Sequence, residues 1–257
     1  MDLSMSTRTL EAFLLVVVRS GGFVAVAPLF GHKSVNARLR VLIAICISLT
    51  IFSATDITLP EYSTVFEYSL LVVKEVVVGL SLGFAASITM SILKVAGEFI
   101  DREIGFTMAT NFDMSAGGMI TVTSELYDRM VYAVILITNM HYYILKALAQ
   151  SFELVPIGRV NVNYLSLYSG VLGFMGQYFS IGFRIAMPIF IGATVLNIIL
   201  GVLAKSSPQL NMFSIGIQLK VLAGLAVLSI AVMFIPNIAT YLMERMQDIL
   251  SSIMGAL

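Results

Sequence analysis

An all-α fold of membrane-complex helical hairpins, with kinked or broken helices, is predicted by three features of the chain. Of 257 residues, 58% are hydrophobic and only 12% charged, against about 25% charge in soluble domains, and mean hydropathy is +0.95. Apolar runs long enough for helices alternate with polar links. Charges and prolines sit inside those runs, among them Arg19, Lys74, Glu75, Arg184, Pro188 and Lys220, and such residues need protein rather than lipid around them.

The same composition removes several function classes. Formal net charge is zero, so no basic field points to nucleic acid. Two His and one Cys are too few for a metal site or a disulfide framework, and Cys46 reads as a small core residue. No nucleophile elbow, P-loop, dinucleotide fingerprint or metalloprotease helix occurs. Catalysis has no visible candidate, and neither cofactor nor metal is expected.

The first run, about Leu10 to Leu29, carries Arg19 and the pair Gly21-Gly22. A central Arg costs about 2.5 to 3.5 kcal/mol on insertion scales, so a buried acid or a carbonyl is expected beside it. The segment ending in Ala25-Val26-Ala27 superficially resembles a cleavage site. Arg19 interrupts its core and Pro28 follows the bond, so no cleavage is expected there.

Residues 31–40 hold Lys33, Arg38 and Arg40 and no acid; the second run follows, about Val41 to Ala54. The next link holds Asp56, Glu61 and Glu67 and no base. The positive-inside rule then makes the first link cytoplasmic, the second external, and the N-terminus external. A third run, about Tyr68 to Val95, contains Lys74 and Glu75 and the spaced pair Gly79 and Gly83. Small residues four apart admit close helix contact. Neighbouring Lys74 and Glu75 point about 100° apart and reach different partners, with subunit contacts favoured over a proton relay.

The stretch from Gly97 to Arg129 is the only long segment outside the apolar runs, and its Gly, Met, Phe, Thr and Ser centre reads as a loop built to be packed. A fourth run, about Met130 to Leu148, includes Asn139 and His141, the latter expected to be a packed, hydrogen-bonded residue. Pro156 and Gly158 break the chain. Residues 165–204 would form a straight helix about 60 Å long against a hydrocarbon core of about 30 Å. With Arg184 and Pro188 near the middle, either a hairpin or a long kinked helix is required. The last run, about Met212 to Tyr241, holds Lys220 and Pro236 and leads into a short amphipathic tail.

Several motifs together resemble the FliR (SctT-type) family of the flagellar and type III secretion export gate. They are Arg19-Ser20-Gly21, Pro28-Leu29-Phe30-Gly31, the basic start at Arg38 and Arg40, Gly97 to Phe106, and Ser151-Phe152 before Pro156 and Gly158. Ala186-Met187-Pro188 and the run Pro208-Gln209-Leu210-Asn211-Met212-Phe213 with Gly216, Lys220 and Gly224 complete the set. Order, spacing and length agree over nearly the whole chain. Where family members often carry Asp-Pro, this chain has Asp113-Met114, and Asn139-Met140-His141 stands in place of a Gly-His-His type motif.

The resemblance implies one gate domain over residues 1–257, packed as a subunit of a helical multi-subunit assembly with FliP-like and FliQ-like subunits and an FlhB-like subunit. Unfolded export substrates would pass through its centre, in the bacterial inner membrane within the flagellar basal body. Arg19, Lys74, Glu75, Arg184 and Lys220 would be subunit-interface or buried charges, Pro188, Pro208, Gln209 and Asn211 structural motif positions, and the run at 165–204 a hairpin. A pore for unfolded chains needs a seal, and Met repacks readily around varied surfaces. Phe106, Met108, Phe112, Met114 and Met119 are expected to include the plug, with Gly117 and Gly118 as pivots and Glu98 to Glu103 and Glu125 to Arg129 as rim anchors. The alternative is a small secondary transporter with a midplane site at Arg19, Lys74, Glu75, Arg184 and His141.

Overall fold

The computed structural model describes residues 3–31, 35–55, 57–106, 111–113, 118–160, 164–206 and 212–257. Nine helices are present among them: α1 Leu3–Val26, α2 Ala37–Ala54, α3 Val65–Met90, α4 Ile92–Ile104, α5 Val122–Ile137, α6 His141–Leu154, α7 Tyr164–Ser206, α8 Met212–Ala231 and α9 Ile235–Ala256. The fold is all-α apart from β1 Asn111–Asp113 and β2 Gly118–Ile120, a short antiparallel ribbon. A 3₁₀ turn, Val232–Phe234, joins α8 to α9, and Pro236 sits in the first turn of α9, where its missing N–H is no loss.

Local chemistry sets the helix starts. Asn36 caps α2 by accepting the Arg38 N–H at 3.2 Å. At α3 the Thr64 hydroxyl accepts the Glu67 N–H at 3.3 Å, while the Glu67 carboxylate reaches back to the Ser63 N–H at 2.7 Å. This reciprocal arrangement satisfies donors that a helix start otherwise leaves bare.

The chain divides into two compact units, each assembled from separated stretches. One takes residues up to Thr89, Asn139–Phe174 and the chain from Met243; the other takes Met90–Thr138 and Met175–Leu242. In the first, α1 lies against α3 with almost no gap: a Cβ at Gly79 would fall 2.2 Å from the Arg19 carbonyl oxygen, and one at Gly83 2.7 Å from that of Phe23. Both positions therefore admit glycine alone. Phe13 and Phe52 meet edge to face at 5.6 Å and join α1 to α2. The second unit packs Ile92, Leu93, Ile100 and Ile104 of α4 with Tyr127, Val131 and Ile135 of α5.

Four sequence expectations are corrected. Residues 165–204 do not turn as a hairpin: α7 is one helix of 43 residues with Pro188 inside it, about 65 Å long. Proline removes a single i→i−4 bond there, and no glycine of α7 has positive φ to reverse the chain. The fourth run is not one helix either; α5 and α6 bend by 75° at Asn139, whose φ of 59° lies in the left-handed region that Asn tolerates better than most residues. The stretch 97–129 is not one loop, because α4 extends to Ile104 and α5 starts at Val122. Cys46 is exposed rather than core.

Among the described residues, five helical segments are long and apolar enough to cross a membrane, or six with the bent α5–α6 pair. Within them burial is uneven. An 18-residue apolar window in Val65–Ile104 is 56% buried by its own chain and one in Tyr168–Ser206 only 11%, so α7 presents an apolar surface that this chain does not cover.

Candidate functional site

Two constructions place the residues of interest. The first is the root of the ribbon. α4 ends at Gly105, whose φ of 90° and N–H bond of 3.0 Å to the Asp101 carbonyl close the last turn. Asp101 lies on the buried face of α4 at 0% exposure. Its carboxylate accepts the Thr123 N–H at 3.2 Å and also the Thr123 hydroxyl. Thr123 is the second residue of α5, so Asp101 caps that helix from another helix and places negative charge at its positive end, an arrangement that contributes about 0.3–2 kcal/mol.

Beside it the Ser124 hydroxyl is engaged with Thr121 and with the Lys94 carbonyl, the latter at 3.0 Å. Gly97 makes this approach possible, since a Cβ there would fall 2.3 Å from Ser124 Oγ. Both ends of the intervening segment are thus pinned to one buried clamp. Between them the ribbon pairs Asn111 with Ile120, Phe112 with Met119 and Asp113 with Gly118.

Phe106 is half-buried just past α4; Phe112, Gly118 and Met119 lie in the ribbon; Met108, Met114 and Gly117 lie outside the described residues. The charged flanks expected to anchor the segment pair within their own helices. Arg102 lies 3.7 Å from Glu98, and Arg129 pairs with Glu125, all on exposed side chains, where such pairs contribute about 0–1 kcal/mol. Within the expected flank Glu98 to Glu103 the acid that turns inward is Asp101, which holds Thr123; sequence reasoning did not single it out. The signal was available: an acid in step with the apolar face of α4, and a Thr-rich helix start after it.

The second construction is a buried ion pair. Arg19 Nε donates to Glu75 Oε2 at 2.5 Å, with both side chains at 0% exposure. Arg19 Nη1 also donates to the Ser151 carbonyl at 2.8 Å, and the guanidinium lies 4.3 Å from the Phe152 ring centroid, a cation–π contact. Glu75 Oε1 accepts the Gly158 N–H at 3.2 Å, and Lys74 Nζ donates to the Gly158 carbonyl at 3.3 Å. Neighbouring Lys74 and Glu75 therefore hold opposite edges of one residue. Gly158 needs its φ of 76° and its missing side chain, because a Cβ would meet Leu71 at 2.6 Å. The structure brings Arg19 and Glu75 together inside the chain, so the buried acid and the carbonyl expected beside Arg19 are Glu75 and that of Ser151, while for Glu75 sequence reasoning favoured a subunit contact.

Remaining positions are scattered. Arg184 and Pro188 are exposed on α7, and Lys220 is half-buried on α8. His141 opens α6 and stacks on Tyr142 at 4.5 Å, while its Nδ1 is buried with no hydrogen-bond partner among the described residues. Pro208, Gln209 and Asn211 lie outside the described residues.

Comparison with known proteins covers almost the whole chain. The family model for bacterial export proteins, family 1, matches residues 10–246. The flagellar biosynthetic protein FliR of Bacillus subtilis is 28% identical over 246 residues, 93% of this chain and 95% of that protein. The protein of the same name from Aquifex aeolicus is 28% identical over 250 residues, 96% and 94% of the two chains, and that of Escherichia coli 25% identical over 255, again 96% and 94%. On the match to the family model over residues 10–246 and these relatives, the chain belongs to family 1 of the bacterial export proteins, the FliR family.

Proposed function

We propose that this chain, a membrane-embedded component of the flagellar export apparatus, is a channel subunit of the flagellar type III export gate, and that residues 105–121 help seal it. The observation that carries this reading is the ribbon rooted at both ends in the Asp101–Thr123–Ser124 clamp. A segment with fixed roots and an apolar, glycine-containing centre can be pushed aside and return to one place. Phe106, Met108, Phe112, Met114 and Met119 supply the closing surface, Gly117 and Gly118 the pivots. An apolar constriction blocks ions by excluding water, and methionine adapts to varied passing side chains.

The partners in this reading are FliP-like, FliQ-like and FlhB-like subunits and unfolded export substrates, in the inner membrane within the basal body. The chain acts as one gate domain over residues 1–257, since neither compact unit is a continuous stretch that could be cut free. The apolar surface of α7, with Ile191, Val195, Ile198 and Val202 exposed, offers neighbouring subunits a large contact. A transporter site at Arg19 and Glu75 finds no support, because the two charges neutralise each other at 0% exposure.

The test is electrical. Replacing Gly117 to Met119, or deleting part of residues 108–119 in the assembled gate, is expected to raise ion leakage across the membrane. Conductance equal to that of the unaltered gate overturns the assignment.

A further inference from the structure

The second compact unit holds a cavity of about 210 Å³ that the gate reading does not use. One face is α7 at helical spacing, with Ile181, Arg184, Ile185 and Pro188; Phe234 and Ile238 close it from the chain around the start of α9. Its lining is apolar apart from Arg184 and the hydroxyls of Tyr127 and Tyr241. Arg184 is exposed, lies inside the apolar span Tyr168–Ser206, and has no ion-pair partner among the described residues. Tyr127 lines the cavity at 1% exposure.

The charge is costly as it stands, since a cation in a membrane span is compensated by an anion or by water. Pro188 adds a second polar group, since the N–H it lacks would have bonded the Arg184 carbonyl. An occupant must therefore bring an apolar body to fill the cavity and a negative head to meet Arg184.

We infer that this cavity is a binding site for an anionic phospholipid, with part of an acyl chain between α7 and the start of α9, and the phosphate on Arg184. The guanidinium fork matches phosphate oxygens two at a time, whereas a carboxylate side chain from a neighbouring subunit would meet the charge and leave the cavity unfilled. The site is independent of the ribbon and of the sealing role.

Native mass spectrometry of the full-length chain, with the subunits that copurify with it, tests this in nanodiscs of mixed phosphatidylglycerol and phosphatidylcholine. The complex is expected to retain phosphatidylglycerol at collision energies that strip phosphatidylcholine. Arg184→Gln should reduce that preference about tenfold at this site, and Ala231→Phe, which fills the cavity, should remove one lipid per chain of either kind. Equal retention of the two lipids by the unaltered complex overturns the proposal without recourse to any variant. So does unchanged retention in both variants, or an Arg184→Glu complex that keeps its lipid and sheds a neighbouring subunit, which would make the counter-charge a protein carboxylate.

Discussion

Arg19 and Glu75 depend on each other more than on anything else around them. Removing one leaves the other buried without a counter-charge, a loss of about 3–5 kcal/mol, whereas replacing both by apolar residues of similar volume is often neutral. Arg19→Ala should therefore lower the thermal unfolding midpoint in detergent sharply, and Arg19→Leu combined with Glu75→Leu should recover most of the loss. Additive effects in such a cycle would show that the pair is not coupled. Gly97 makes a steric case of the same kind. Gly97→Ala puts a methyl group within 2.4 Å of the Ser124 backbone, and overpacking of that sort costs about 1–3 kcal/mol, readable in the same melt.

Helix ends and breaks carry the next set of effects. Asp101→Asn keeps a hydrogen-bond acceptor at the start of α5 but removes its charge, a loss of about 1 kcal/mol or less; Asp101→Ala strands the Thr123 donors and should cost about 1–3 kcal/mol. Hydrogen exchange at the amides of residues 122–125 should accelerate in that order, and no difference between the two variants would remove Asp101 as the cap. At the α5–α6 bend, Asn139→Gly should be nearly neutral and Asn139→Leu should cost about 1–2 kcal/mol, because a branched side chain resists the left-handed region. Circular dichroism melts of the two variants measure that difference.

For the molecule as a whole, cutting residues 108–119 down to a short Gly-Ser bridge should leave the unfolding midpoint almost unchanged, since the clamp lies below the ribbon, while leakage through the assembled gate rises. A large drop in the midpoint would make the ribbon part of the scaffold. Helical class, the close contact at Gly79 and Gly83 and the need for a partner at Arg19 were all legible in the chain, because each follows from a local rule: hydropathy, small-residue spacing, the cost of a buried charge. Partner identity was not, since Glu75 lies 56 residues from Arg19 and Ser151 lies 132 away, and no periodicity encodes such distances. Asp101 was harder to pick out, since among the charges of Glu98 to Glu103 only its step with the apolar face of α4 marks it as the acid that turns inward. The unbroken course of α7 was obscured by Pro188, whose usual effect on a helix is to end or kink it. The same separation of 56 residues also sets a schedule for biogenesis. At about 5–20 residues per second, α1 leaves the ribosome about 3–11 s before its counter-charge exists, and the Ser151 carbonyl follows later still. During that interval α1 carries the cost of a central arginine, about 2.5 to 3.5 kcal/mol on insertion scales, with no partner from its own chain to offset it.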